Sequence, residues 1–170
     1  MRRIKKASLE DIPVIQQLTY TIWPDAYKGI LNATQLKYML DLFYSDYALE
    51  KLMETSQYQF IIAYDDGEPT GFAAYSPKMP GDILVFRLHK LYVLPAQQGK
   101  GTGRFLLDYL IDEIIPRGAT LLELNVNRYN KAQYFYHNMG FAITGEEDID
   151  IGNGYFMNDY VMEKPLVDHS

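Results

Sequence analysis

Along this chain the apolar positions recur with a period of two in some stretches and near 3.6 in others, and the succession of the two periods predicts mixed α/β structure. Arg3 to Ala7 fits a short edge strand. Ser8, with Asp11 three residues on, predicts a helix N-cap, and Ile12, Ile15, Leu18, Thr19 and Ile22 then form one helical stripe. Pro24 predicts a sharp stop, which makes the aromatic segment Trp23 to Leu31 a connecting loop, either a substrate wall or a cover for the core. Asn32 or Thr34 can cap a second helix carrying Leu36, Met39, Leu40 and Phe43, and Ser45 a third carrying Leu49, Leu52 and Met53.

Period two then returns. Tyr58 to Tyr64 and Gly71 to Tyr75 flank the turn-forming Asp65 to Pro69 and read as an antiparallel hairpin. Ile83 to Leu94 is a long strand, apolar on both faces towards its end and therefore expected in the middle of a sheet. It runs into Pro95, a short polar turn and the glycines Gly99, Gly101 and Gly103, after which Phe105, Leu106, Tyr109, Leu110 and Ile114 mark a helix ended by Pro116 and Gly118. Leu121 to Val126 is the next strand, completing a βαβ unit. A short helix from Lys131 to Asn138 stops at Gly140, and Phe141 to Gly145 with Tyr155 to Met162 close the chain as a hairpin around an acidic stretch and the turn Gly152-Asn153-Gly154.

Composition narrows the function. A chain of 170 residues is most simply one domain, here residues 1–170. Its 16 Lys plus Arg against 22 Asp plus Glu leave a net charge of −6, which disfavours nucleic acid as a partner and suits a cationic one. Cysteine is absent, so thiol catalysis is excluded and a reducing compartment is permitted. Arg2 to Lys6 has the charge of a signal-peptide start, but Ser8-Leu9-Glu10-Asp11 stands where an apolar region belongs, and no apolar run reaches the roughly 18 residues that span a bilayer. A cytoplasmic location without membrane attachment is the resulting expectation.

The strand, glycine loop and helix start aim unpaired N–H groups at one spot and suit an anion such as phosphate. The dinucleotide fingerprint fails because Arg104 stands where its third glycine belongs, and a Walker A loop fails because the four-residue spacer before Lys100-Gly101-Thr102 is missing. What remains is Gln98-x-x-Gly101-x-Gly103 directly after Tyr92-Val93-Leu94-Pro95. That pattern resembles the GNAT family of acetyl-CoA-dependent N-acetyltransferases, and the resemblance extends through the N-terminal helix pair to Phe135-Tyr136 ahead of Met139-Gly140-Phe141. The ending Asp150 to Tyr155 and Asp159 to Lys164, with Ile22 to Leu31, is similar to bacterial polyamine acetyltransferases.

The resemblance implies a mixed, mostly antiparallel twisted sheet of about six to seven strands, with helices on both faces and central strands splayed to admit CoA. It implies acetyl-CoA as cosubstrate, no metal, and a frequent homodimer. Leu91, Tyr92 and Val93 would hold the pantetheine arm, and the backbone of Gln98, Gly99, Lys100, Gly101, Thr102, Gly103 and Arg104 the pyrophosphate, although surface solvation suits the Arg104 side chain equally. A backbone N–H at Val93 or its neighbour would receive the acetyl oxygen. Tyr136 resembles the family tyrosine that protonates the CoA sulfur, a role fitting a phenol of pKa about 10. Asn130 resembles the helix-start asparagine at the cofactor, in competition with Asn125 and Asn127. For the base, His89 matches a position where some amine acetyltransferases place histidine, whose pKa of about 6.5 suits removal of an ammonium proton; Glu123 could act through water. Glu146 to Asp150 and Asp25 could attract a cationic acceptor, or be solvated surface. The expected activity is acetyl transfer to a primary amine of a small polyamine-like molecule. A protein or peptide acetyltransferase and a non-catalytic acyl-CoA sensor are the alternatives.

Overall fold

The computed structural model describes residues 1–55 and 58–166. Strands β1 (Arg2–Lys6), β2 (Gln59–Asp65), β3 (Glu68–Pro77), β4 (Val85–Val93), β5 (Leu121–Asn127), β6 (Ala142–Gly152) and β7 (Tyr155–Pro165) form one sheet in the order β1-β2-β3-β4-β5-β7-β6. The pairs β1/β2, β2/β3, β5/β7 and β6/β7 are antiparallel, and β4/β5 is parallel. Among the described residues five α-helices accompany them: α1 (Ile12–Ala26), α2 (Ala33–Tyr44), α3 (Asp46–Glu54), α4 (Thr102–Ile114) and α5 (Ala132–Asn138). The fold is thus the mixed, mostly antiparallel α/β arrangement expected. By contacts the chain divides into two units, Met1–Ser76 with Lys90–Leu110, and Pro77–His89 with Ile111–Ser170.

In the first unit Asp11 accepts from the Ser8 N–H at 2.9 Å and from Lys5 Nζ at 2.8 Å, fixing the entry to α1 through a 3-10 turn. All five residues of the predicted stripe are buried, and Trp23 joins them. The predicted stop at Pro24 is wrong: α1 runs on to Ala26. A proline removes only its own N–H bond, and the Tyr27 N–H still closes on the Trp23 carbonyl at 3.0 Å, so the last turn survives. Trp23 to Ala26 are therefore helix, and the connector begins at Tyr27. Asn32 Oδ1 accepts from the Gln35 N–H at 2.7 Å and Ser45 Oγ from the Ala48 N–H at 3.2 Å, so both helices start at the capping residues read from the sequence. Asp66 and Gly67 both have positive φ, as a two-residue hairpin turn requires. Gly71 on β3 has a different reason: a Cβ there would lie 2.7 Å from the Tyr92 carbonyl oxygen and 3.2 Å from Val93 Cα, so only glycine lets β3 and β4 approach this closely.

In the second unit β4 pairs with β5 from Val85↔Leu121 to Leu88↔Leu124. Leu122, Glu123 and Leu124 are all buried, which marks β5 as covered on both faces. Gly118, at φ 108, ends the turn after α4. Lys164 Nζ donates to the Met139 carbonyl at 2.8 Å and holds the end of α5 against β7. Glu146 to Asp150 were expected in the stretch between the final strands; they lie within β6, because its pairing with β7 continues to Gly152↔Tyr155. β6 is also the edge of the sheet. The C-terminal strand β7 is covered on both sides, by β5 and β6.

Candidate active site

The glycine loop lies entirely in the first unit. A 3-10 turn over Pro95–Gln97 reverses the chain, Gly99 and Gly101 take φ 78 and 82, and α4 begins at Thr102. The N–H groups of Gln98 and Lys100 turn inward to the carbonyls of Pro95 and Gln97, both at 3.3 Å. Phe105 is the first residue to close a helical bond, to the Gly101 carbonyl at 2.9 Å. The N–H groups of Thr102, Gly103 and Arg104 precede it, and helical geometry gives them no acceptor within α4. Gln98 to Gly101 are exposed, and a Cβ on Gly99 would meet nothing within 4 Å, so the loop is open to a ligand. This arrangement fits the pyrophosphate of CoA.

Two side chains complete the loop's charge. Arg104 turns along the helix surface to Asp108 at 3.8 Å. Arg2 hydrogen-bonds the Lys100 carbonyl, and its Nη1 lies 3.4 Å from where a Gly101 Cβ would be. Sequence reading missed Arg2, since nothing local links a residue on β1 to a loop 98 positions away. On β4, Leu91, Tyr92 and Val93 are half-buried. The Leu94 N–H is taken by the Thr70 carbonyl at 2.9 Å, which removes this neighbour of Val93 as a donor to an acetyl oxygen.

The second unit holds the other candidates. Tyr136 on α5 is 7% exposed, its ring edge-on to Phe135 at 5.3 Å and Phe141 at 5.6 Å. His89 stands on β4 one residue past the last pair with β5 and is half-buried. Glu123 has both carboxylate oxygens engaged in ion pairs, with Arg87 at 2.8 Å and Lys78 at 3.2 Å. Of the competing asparagines, Asn125 accepts from Arg87 at 2.6 Å and donates to Glu147 at 3.1 Å, so its amide is committed to a polar network. Asn127 Oδ1 accepts from the Tyr129 N–H and Asn130 Oδ1 from the Ala132 N–H, each at 2.9 Å. Asn130 thus sits at the start of α5.

The family model for the acetyltransferase (GNAT) domain matches residues 31–163, spanning the loop, β4 and α5. The chain belongs to the GNAT acetyltransferases. It is an acetyl-CoA-dependent N-acetyltransferase, with acetyl-CoA as the acyl donor. It is 29% identical over 116 residues to the L-methionine sulfoximine/L-methionine sulfone acetyltransferase of Salmonella typhimurium, covering 66% of this chain and 68% of that protein. It is 32% identical over 91 residues to the L-amino acid N-acyltransferase MnaT of Escherichia coli, covering 52% of this chain and 53% of that one. A crystal structure of the PaiA N-acetyltransferase of Thermoplasma acidophilum in complex with coenzyme A superposes with a TM-score of 0.81 at 25% identity, covering 97% of this chain and 99% of that one.

Charged groups lie in both units. In the second unit, Arg128 pairs with Glu146 at 3.3 Å and with Asp148. Asp159, 2% exposed and opposite Glu147 on the β6/β7 ladder, has its carboxyl pushed up by burial, with a smaller upward push from Glu147. Asp25 is exposed at the end of α1. In the first unit, Lys90 extends into an aromatic group, its Nζ 4.4 Å from the centre of the Tyr44 ring and 5.9 Å from that of Phe43. Burial pushes the Lys90 ammonium down to about 8 from 10.5. The folded chain therefore disfavours the charged form. Between pH 8 and 10.5 the unfolded chain holds more protons at this group, so the destabilisation Lys90 causes at neutral pH is relieved as pH rises through that window.

Proposed function

We propose that the acceptor is the primary amine of a small molecule arriving as a cation, and that acetyl passes to it directly while both substrates are bound. The observation that carries this reading is the exposed glycine loop feeding the N-terminus of α4, which fits the pyrophosphate and leaves β4 to align the pantetheine arm. In this reading Thr102, Gly103 and Arg104 donate backbone N–H bonds to the pyrophosphate, with Gln98 to Gly101 shaping the cradle and Arg2 adding positive charge. Leu91 to Val93 hold the arm by strand-like hydrogen bonds, and Asn130 contacts it from the start of α5. Both units then serve a single domain in a cytoplasmic setting, which the absence of cysteine suits.

The residues divide the chemistry as follows. His89 takes a proton from the acceptor ammonium, leaving a neutral amine whose lone pair forms the new C–N bond. The Val93 N–H stabilises the acetyl oxygen as it gains charge. As the C–S bond breaks, the acylated nitrogen sheds its second proton to solvent, and Tyr136 gives its phenolic proton to the departing sulfur and recovers one from solvent. One proton is released overall.

The acidic residues on β6 favour a polyamine-like acceptor, since carboxylates raise the local concentration of cations. An amino acid acceptor is a second reading, favoured by the two relatives named for amino acid substrates. Thioester-dependent release of CoA, measured with spermidine, free amino acids, and peptides bearing a free N-terminus or lysine, tests the small-molecule reading. Small amines are expected to have kcat/KM at least about tenfold above any peptide, the discrimination that one well-fitted or missing contact provides. A peptide as the best acceptor contradicts it.

A further inference from the structure

Lys90 is a charge that the fold itself does not use. Burial is the whole cause of its lowered proton affinity, and among the described residues no carboxylate forms an ion pair with it. Its ammonium lies over the faces of Tyr44 and Phe43. Such contacts offset only part of the desolvation of a lysine, because buried charges are ordinarily neutralised by a partner of opposite sign. Among the described residues the surroundings offer no carboxylate either: Tyr44 is buried beside Trp23 and Thr19, and its ring meets that of Trp23 edge-on at 5.3 Å.

The walls are aromatic. Tyr27 lies 4.8 Å and Tyr92 5.7 Å from Trp23, the Tyr27 and Tyr92 hydroxyls are 3.0 Å apart, and both residues are half-buried, as is Lys90. Lys90 and Tyr92 are two positions apart on β4 and so share a face of the strand. They flank Leu91, the first of the residues read as holding the pantetheine arm. Every residue of this group belongs to the first unit.

We propose that Lys90 determines acceptor specificity: its ammonium receives the carboxylate of an α-amino acid, whose side chain packs against the half-buried Tyr27 and Tyr92. This rests on the reading that the acceptor is a small primary amine, and it chooses the amino acid over the polyamine; because His89 faces the other side of β4 from Lys90, the α-ammonium of an acceptor held by Lys90 gives its proton to water rather than to His89. A carboxylate supplies the missing counter-ion. A polyamine brings further positive charge to a lysine that already lacks a counter-ion.

The test compares L-methionine, L-methioninamide and spermidine as acceptors in the wild type, Lys90→Met and Lys90→Arg. Trp23 is the only tryptophan in the chain, so its fluorescence also reports acceptor binding directly. The wild type is expected to prefer methionine to its amide by about tenfold to a hundredfold, the contribution of a hydrogen bond to a charged group. Lys90→Met is expected to lose most of that preference through KM, with methionine no longer changing the Trp23 emission at concentrations that saturate the wild type, while Lys90→Arg restores part of it. Because removing an unpaired ammonium relieves burial, Lys90→Met should melt no lower than the wild type at pH 7. Equal turnover of acid and amide by the wild type, or a preference that survives in Lys90→Met, overturns the proposal while leaving the small-amine reading intact. Release of CoA with none of the three acceptors, or only with peptides, overturns both.

Discussion

Tyr136→Phe is expected to lower kcat by about a hundredfold or more while acetyl-CoA still binds, the range a positioned general acid contributes. The substitution removes one oxygen and keeps the ring. Its packing against Phe135 and Phe141 is that of a benzene ring edge, which phenylalanine reproduces, and the surrounding turn is held by backbone bonds from Met139 and Phe141 to the Tyr136 carbonyl, both 3.0 Å, that do not involve the side chain. The loss should fall on the step in which the sulfur leaves, since a thiolate expelled without a proton is the poorer leaving group when the nucleophile is an amine. Steady-state turnover at several pH values, with acetyl-CoA affinity measured alongside, separates this from a binding defect. Unchanged turnover across that pH range removes Tyr136 from the role.

Gly71→Ala is expected to destabilise the fold by about 1–3 kcal/mol, the usual range for forcing extra volume into a closely packed site. The contact is severe because the atoms in the way are backbone: the Tyr92 carbonyl oxygen at 2.7 Å and Val93 Cα at 3.2 Å. No side-chain rotation relieves it, so β4 must move away from β3. The displaced segment carries the N–H proposed to hold the acetyl oxygen, whereas the loop from Gln98 onward is anchored separately in the start of α4. Turnover should accordingly fall more than acetyl-CoA affinity. Urea denaturation and steady-state kinetics on the same preparation read the two effects, and an alanine variant as stable and as active as the parent contradicts the close approach.

Local chemistry made much of the fold legible. Asn32 and Ser45 cap helices because a side-chain oxygen two or three residues ahead of an unpaired N–H needs no tertiary information. The glycine loop was legible for the same reason, its spacing reflecting backbone geometry within one turn. Pro24 misled because a proline near the end of a helix removes only one bond, and α1 is completed by packing of Trp23 in the core rather than by propensity. Glu146 to Asp150 read as a break between strands because charge is depleted from strands in general, yet at a sheet edge β6 can carry exposed acidic side chains. Arg2 beside the loop, Gly71 against β4, and Glu123 locked by Arg87 and Lys78 all depend on register between distant strands. So does Lys90, which read simply as one more residue of a long strand until α2 placed Tyr44 beneath its ammonium.

The structure of this protein crystallised with CoA tests the central claim most directly. The account predicts pyrophosphate oxygens within hydrogen-bonding distance of the backbone N–H groups of Thr102, Gly103 and Arg104, the pantetheine arm running along Leu91 to Val93, and the sulfur within reach of the Tyr136 hydroxyl. A pyrophosphate bound away from the start of α4, or a sulfur remote from Tyr136, contradicts it.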